Sequence, residues 1–227
     1  MLGTIANVVA IVLGGIAGTV IKKGVPPKIA GTVVKGLALA VLLVGVENAL
    51  KVNNLLLVML SMVVGGIAGE LWDVDQRLKN FGDAIERRCK GKGGKVSDGF
   101  VTGTLLYCVG AMAIVGSLES GLSGNHQILF AKAVLDGIMS LIFASTLGIG
   151  IALSGLSVLL YQGSITMAAT SLQPLLSEAV KADTSAIGGL LIIGMSLNML
   201  ELDKIKVANQ LPAIFIPILY QWISFFF

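Results

Sequence analysis

The sequence predicts an all-α, polytopic transmembrane helix bundle, and three observations predict it. Hydrophobic residues make up 55% of the 227 and charged residues only 13%, where a soluble domain carries about 25% charge. Mean hydropathy is +0.90, and apolar runs recur along the whole chain at the ~20-residue length that crosses a bilayer. Glycine contributes 29 residues, an excess that suits helices packed closely in lipid. An outer-membrane barrel would instead show alternating segments of about 10 residues. A net charge of +3 offers no general basic field for nucleic acid.

Eight apolar segments follow in order, at roughly 2–21, 30–49, 54–72, 99–118, 127–153, 155–172, 185–200 and 210–227. The first opens Met1-Leu2-Gly3-Thr4 without a basic stretch or a cleavage site, and reads as a retained helix. The fifth runs to ~27 residues, or about 40 Å of helix, and must tilt or project beyond the hydrocarbon. The sixth is the weakest, because Tyr161, Gln162, Gly163 and Ser164 interrupt it. The eighth carries Pro212 and Pro217. Trp72, Tyr220 and Trp222 read as interface anchors, and Lys35, Glu47 and Glu119 as groups solvated at the interfaces.

Charge fixes the expected direction. Lys22, Lys23 and Lys28 follow the first segment. Arg77, Lys79, Arg87, Arg88, Lys90, Lys92 and Lys95 follow the third, and Lys204 and Lys206 follow the seventh. The loops after the second, fourth and sixth hold only Lys51 and Lys181. Cytoplasmic loops collect Lys and Arg, so both termini are expected outside.

The longest loop is expected to be structured. Val74, Leu78, Phe81 and Ile85 fall on one helical face, with Asp73 and Asp75 at its start and Arg87, Arg88 and Lys90 at its end. These charges suit a helix dipole. Residues 73–95 are therefore predicted to form a cytoplasmic amphipathic helix and linker, able to meet membrane lipids. Its Gly91-Lys92-Gly93-Gly94-Lys95 stretch lacks the spacing and the Ser/Thr of a phosphate loop.

Gly-Gly-Ile-Ala-Gly occurs at 14–18 and again at 65–69. Small residues recur every fourth position as Ala6, Ala10, Gly14, Gly18, as Ser61, Gly65, Gly69, and as Ala144, Gly148, Ala152. Each row makes a shallow groove for a neighbouring backbone. Packing within the chain accounts for such grooves; one of them forming a homo-oligomer contact is the second expectation.

Ionisable groups inside spans are costly and mark candidate sites. Lys132, Asp136 and Ser140 form a row on the fifth segment that continues into the small residues. Lys132 and Asp136 are one turn apart and can pair. Either they tether the helix or they line a solute path. The sixth segment adds Tyr161, Gln162, Ser164 and Thr166 around an expected break at Gly163, and a broken helix frees backbone groups for ions or solutes. Asn7 and Asn198 are single amides able to link helices.

Catalysis is not expected. The one histidine, His126, has no evident nucleophile beside it, and Cys89 and Cys108 lie in opposite environments with no metal-ligand spacing. No cofactor or metal is expected.

The opening MLGTIAN, the block FVTGTLLYCVGAMAIVG at 100–116, ILFAKAVLDGIMSLIFASTLGIG at 128–150, LLYQGSIT at 159–166 and IKVAN at 205–209 together resemble the YdfK/YqgA-like family of small bacterial inner-membrane proteins. The resemblance covers essentially the whole chain. It implies the bacterial cytoplasmic membrane and supplies no substrate. The leading expectation is a transporter or channel for an unknown small solute or ion, with its site between the fifth and sixth helices. The alternative is a non-transporting scaffold or regulator acting through segment 73–95.

Overall fold

The computed structural model describes residues 1–21, 26–77, 80, 94–108, 111–172 and 176–224. It is all-helical: α1 (Leu2–Val20), α2 (Pro27–Ala49), α3 (Leu55–Trp72), α4 (Gly94–Cys108), α5 (Ala111–Leu122), α6 (Gln127–Leu147), α7 (Gly150–Leu153), α8 (Gly155–Thr170), α9 (Glu178–Met199), a 3₁₀ helix (Val207–Phe215) and α10 (Ile216–Ser224). Six helices are long and apolar enough to cross a membrane, with α7 and α8 counted as one. The pair α4–α5 adds a seventh, bent by 57°.

Side-chain placement reverses that of a soluble protein. On α1, Leu2, Ile5, Val9, Leu13 and Ile16 face outward, while Gly3, Asn7, Ile11, Gly15 and Gly18 are buried. On α3, Leu56, Leu60, Val63 and Ile67 face outward, over buried Val58, Ser61, Gly65 and Gly69. Large apolar groups gain nothing by leaving a hydrocarbon solvent, so close packing of small residues holds the bundle together. The outward surface is far too apolar for water. The polypeptide is a membrane protein.

Residue pairings give the relative directions of the helices. Gly3 of α1 meets Leu129, Gly14 meets Gly137, and Gly18 meets Leu141 and Ala144 of α6, so the two helices run parallel. Gly45 of α2 meets Gly189 and Ile193 of α9, while Ser196 donates to the Ala38 carbonyl at 2.6 Å, which is antiparallel. Gly65 meets Ala213 and Gly69 meets Asn209, so α3 and the 3₁₀ helix are antiparallel. Gly99 and Gly103 of α4 meet Gly150 and Ser154, and Gly121 of α5 meets Ala169, so that pair runs parallel to α7–α8. Every relation agrees with eight alternating segments. One end of the bundle carries the N-terminus, and the other carries the basic connections, hereafter the basic face.

Four local expectations are corrected. The fifth segment is not one 27-residue helix. α6 ends at Leu147, and Gly148 takes φ 77°, a conformation glycine adopts without a Cβ clash. Ala144, Gly148 and Ala152 are therefore not one ridge; Ala144 packs on Gly18 and Ala152 on Gly15. The sixth segment is not broken at Gly163, because α8 is continuous from Gly155 to Thr170. The eighth is not a single α-helix. Pro212 sits inside the 3₁₀ stretch, where its missing N–H costs an α-helical bond. Finally, Gly94 and Lys95 belong to α4 rather than to a linker.

Asp73 closes α3 in the left-handed conformation, and residues 74–77 are helical. Residues 78–79 and 81–93 of the expected amphipathic segment, including Cys89, lie outside the described residues. Lys35, Glu47, Trp72, Tyr220 and Trp222 are exposed, as interfacial placement requires.

Candidate functional site

The expected Lys132–Asp136 pair exists and is deeply buried. Lys132 Nζ donates to Asp136 Oδ2 at 2.6 Å, with the two residues 5% and 2% exposed. Asp136 lies nine residues from one end of α6 and eleven from the other, about 14 Å and 16 Å along the axis, so it sits at mid-depth. The spacing of four puts both groups on the α6 face that meets α1.

Three helices converge on the carboxylate. Asn7 of α1 donates from Nδ2 to Asp136 Oδ2 at 3.0 Å and to Gln162 Oε1 of α8 at 3.3 Å. One turn further along α6, Ser140 donates to the Tyr107 hydroxyl of α4 at 2.7 Å. The glycines make this convergence possible: a Cβ on Gly14 would overlap the Gly137 backbone, so α1 approaches α6 more closely than any other residue allows. Short polar side chains then reach across. The network is incomplete. Thr4 Oγ1, Asn7 Oδ1, Gln162 Nε2 and Thr166 Oγ1 are buried without a protein partner, and such groups each cost about 1–3 kcal/mol.

A cavity of about 470 Å³ opens onto the pair. Tyr107, Lys132 and Asp136 line its deep end, and Asp75, Asn198 and Ile205 line it at the basic face. Its walls are mainly apolar and include Met112, Met139, Met195 and Met199. Thioether side chains adapt their shape to what they contact, and an apolar cleft with a few convergent polar groups is the usual form of a small-molecule site.

The remaining expected residues divide. Asn198 does not link helices. Its amide spans its own chain reversal, donating to the Ile205 carbonyl at 2.7 Å and accepting from the Ile205 N–H at 2.8 Å, yet it lines the cavity. Ser164 is exposed and donates to the Tyr161 carbonyl within α8. Tyr161 is half-buried and packs with Ile11, Ile151 and Val158. Cys108 is buried and free. Among the described residues, no group of three or more His, Cys, Asp or Glu could hold a metal.

Sequence reasoning missed Tyr107, Thr4 and the methionine walls, which only the folded packing brings together. It also misplaced Glu119, which is 2% exposed rather than interfacial.

Residues 2–222 match the family described as "Protein of unknown function (DUF554)". The chain belongs to that family. It is 31% identical over 222 residues to "Uncharacterized membrane protein YdfK" of Bacillus subtilis (strain 168), covering 96% of this chain and 94% of that protein. It is 28% identical over 233 residues to "Uncharacterized protein YqgA" of Escherichia coli (strain K12), covering 100% and 99%. No solved structure is a significant match. The DUF554 match takes in both the helices of the polar centre and the cavity walls. It also takes in the 205–209 stretch, where Lys206 donates to Glu70 Oε1 at 2.7 Å and Asn209 to Oε2 at 2.6 Å. Those contacts tie the last segment to α3.

Proposed function

We propose that this DUF554 protein is a transporter or channel for a small solute or ion in the bacterial cytoplasmic membrane, with its site at the Lys132–Asp136 pair of α6, in the cavity that α4, α5 and α9 also line. One observation carries the reading: an adaptable, mainly apolar cavity runs from the basic face to a charged pair at mid-depth. Buried intramembrane charges mark solute and proton paths, and secondary transporters bind near the midplane. In this reading the basic loops face the cytoplasm, so the cavity opens inward and the N-terminus lies outside. In this reading the chain is not an enzyme.

Purified protein reconstituted in liposomes tests it directly. The liposomes are offered a defined mixture of metabolites and alkali cations under imposed pH and voltage gradients. Contents are read by mass spectrometry and internal pH by an entrapped dye. At least one species should accumulate above protein-free liposomes and fail to do so with Asp136→Asn. Folded protein that moves nothing would overturn the transport reading; an accompanying cellular defect on deleting 76–92 would favour the scaffold. Orientation has its own test. Cys89 should resist impermeant thiol reagents in intact cells and react after permeabilisation.

The small-residue rows no longer argue for a homo-oligomer. Gly14 and Gly18 are used against α6, Gly65 and Gly69 against the 3₁₀ helix, and Ala144 and Ala152 against α1.

A further inference from the structure

A second buried carboxyl lies away from the cavity, toward the N-terminal face. Glu119 of α5 is enclosed, and among the described residues no lysine or arginine bonds it. Its Oε1 accepts from Ser185 of α9 and from Asn125 Nδ2 at 3.2 Å. Its Oε2 is buried without a partner. That oxygen faces the open side of Gly188, where a Cβ would lie 3.8 Å from it and beside Val115 and Ile128.

Two hydroxyls continue the contact outward. Ser185 Oγ lies 3.2 Å from Ser123 Oγ, and Ser123, half-buried at the end of α5, also reaches the Lys181 carbonyl at 3.4 Å. Glu119, Ser185 and Ser123 therefore form a chain from a buried acid to the rim of the N-terminal face. We propose that Glu119 is a proton-binding site that exchanges with water at the N-terminal face through Ser185 and Ser123.

The chemistry favours a proton over a metal cation. A hard cation collects six or more oxygens, whereas Oε2 has no bonding partner and lies by the open side of Gly188, near Val115 and Ile128. Uptake moves one proton by relay. A proton bonds to Ser123 Oγ, whose own proton passes to Ser185 Oγ, and the Ser185 proton passes to the Glu119 carboxylate. Both hydroxyls end neutral, and release reverses each bond.

The neighbouring charges are accounted for. From the α2–α3 turn, Lys51 donates to Asn48 Oδ1 at 2.9 Å, and Asn48 Oδ1 also accepts from Asn125; Lys51 is thus linked to Glu119 through two amides and also acts on it directly as a charge. Glu47 at the end of α2 bonds Gln127. His126 before α6 is held by Ser120 at 2.8 Å. On α9, Asp183 accepts the N–H groups of Asn53 and Asn54 at 2.8 and 2.7 Å, and Lys181 pairs with Glu178. Lys132 and Asp136 neutralise each other further along α6. The 3₁₀ helix and α8, which also pack on α5, carry no ionisable side chain except Tyr161.

Infrared spectroscopy of the full chain in proteoliposomes tests this without any transported solute, so it stands or falls apart from the flux assay. The protonated-carboxyl C=O band is followed through a pH titration and after a jump into D₂O. Wild type should give a titrating band that is lost in Glu119→Gln and kept in Asp136→Asn. Ser185→Ala and Ser123→Ala retain the carboxyl and should slow its deuteration about tenfold, as expected for losing one hydrogen-bonded relay member. These serine variants also decide the matter if Glu119→Gln fails to fold. A wild-type spectrum with no band assignable to Glu119, or deuteration unchanged in both serine variants, would overturn the proposal.

Discussion

The motif Gly-Gly-Ile-Ala-Gly builds two different seams. At 14–18 it lies against a regular α-helix that offers a glycine of its own, Gly137, with Ala152 beside it. At 65–69 it lies against a 3₁₀ helix through Ala213, Gln210 and Asn209. The first seam is parallel and brings together the polar centre of Asn7, Asp136 and Gln162. The second is antiparallel and is clasped at its end by Glu70, Lys206 and Asn209. The same five residues thus solve one problem, close backbone approach, and leave function to whatever polar groups the partner supplies.

The largest expected effect tests whether the seams are equivalent. Gly14→Leu and Gly65→Leu should each abolish folding, because the new side chain meets backbone that cannot move aside. Monodisperse yield in detergent checks this, with Gly36→Ala as a control, since nothing lies within 4 Å of a Cβ there. A tolerated Gly65→Leu would mean that the 3₁₀ partner yields where α6 does not.

The polar centre should separate the seams next. Lys132→Met or Asp136→Asn alone removes one partner of a buried pair, and leaving the other unpaired costs about 3–5 kcal/mol. The double variant should recover most of that stability while losing flux. Thermal unfolding and transport of the two single variants and the double decide it. Full activity in a stable double variant would make Asp136 a tether.

Weaker effects belong to the second seam. Asn209→Ala removes a bond to Glu70 and the acceptor for the Asp75 N–H at 2.7 Å, and should cost about 1–2 kcal/mol. Lys206→Met should change least at neutral pH, because the Lys206–Glu70 pair is exposed and such pairs contribute little. Its bond to Glu70 holds the Lys206 ammonium above the usual lysine range. That contribution is complete below the ordinary lysine value and is lost as pH rises through the raised one. Unfolding followed into alkaline pH should therefore show a shallower decline for Lys206→Met than for wild type.

The all-helical, multi-span class and the order of the apolar segments were legible because hydropathy acts segment by segment. The Lys132–Asp136 pair was legible for a similar reason: a spacing of four is local. Helix breaks were not. Polar residues around Gly163 suggested an interruption, yet Gln162 and Thr166 stay helical and project into the bundle, while the chain turns at Gly148 with no polar cluster to announce it. Glu119 looked interfacial from its place near a segment end. Its partners Ser185 and Asn125 come from separate parts of the chain, and no one-dimensional pattern joins them. The cavity was invisible for the same reason, since its methionines come from α5, α6 and α9.

The connectivity also dictates an order of assembly during synthesis. α1 finds its main partner in α6, α2 in α9, and α3 in the 3₁₀ helix near the other end of the chain. Each of the first three helices must therefore enter the membrane with its groove unfilled and wait for more than a hundred further residues to be translated. Such long-range closure is slow and leaves sticky surfaces exposed meanwhile. A ribosome stalled before Val207 would leave α3 with its glycine groove open to lipid.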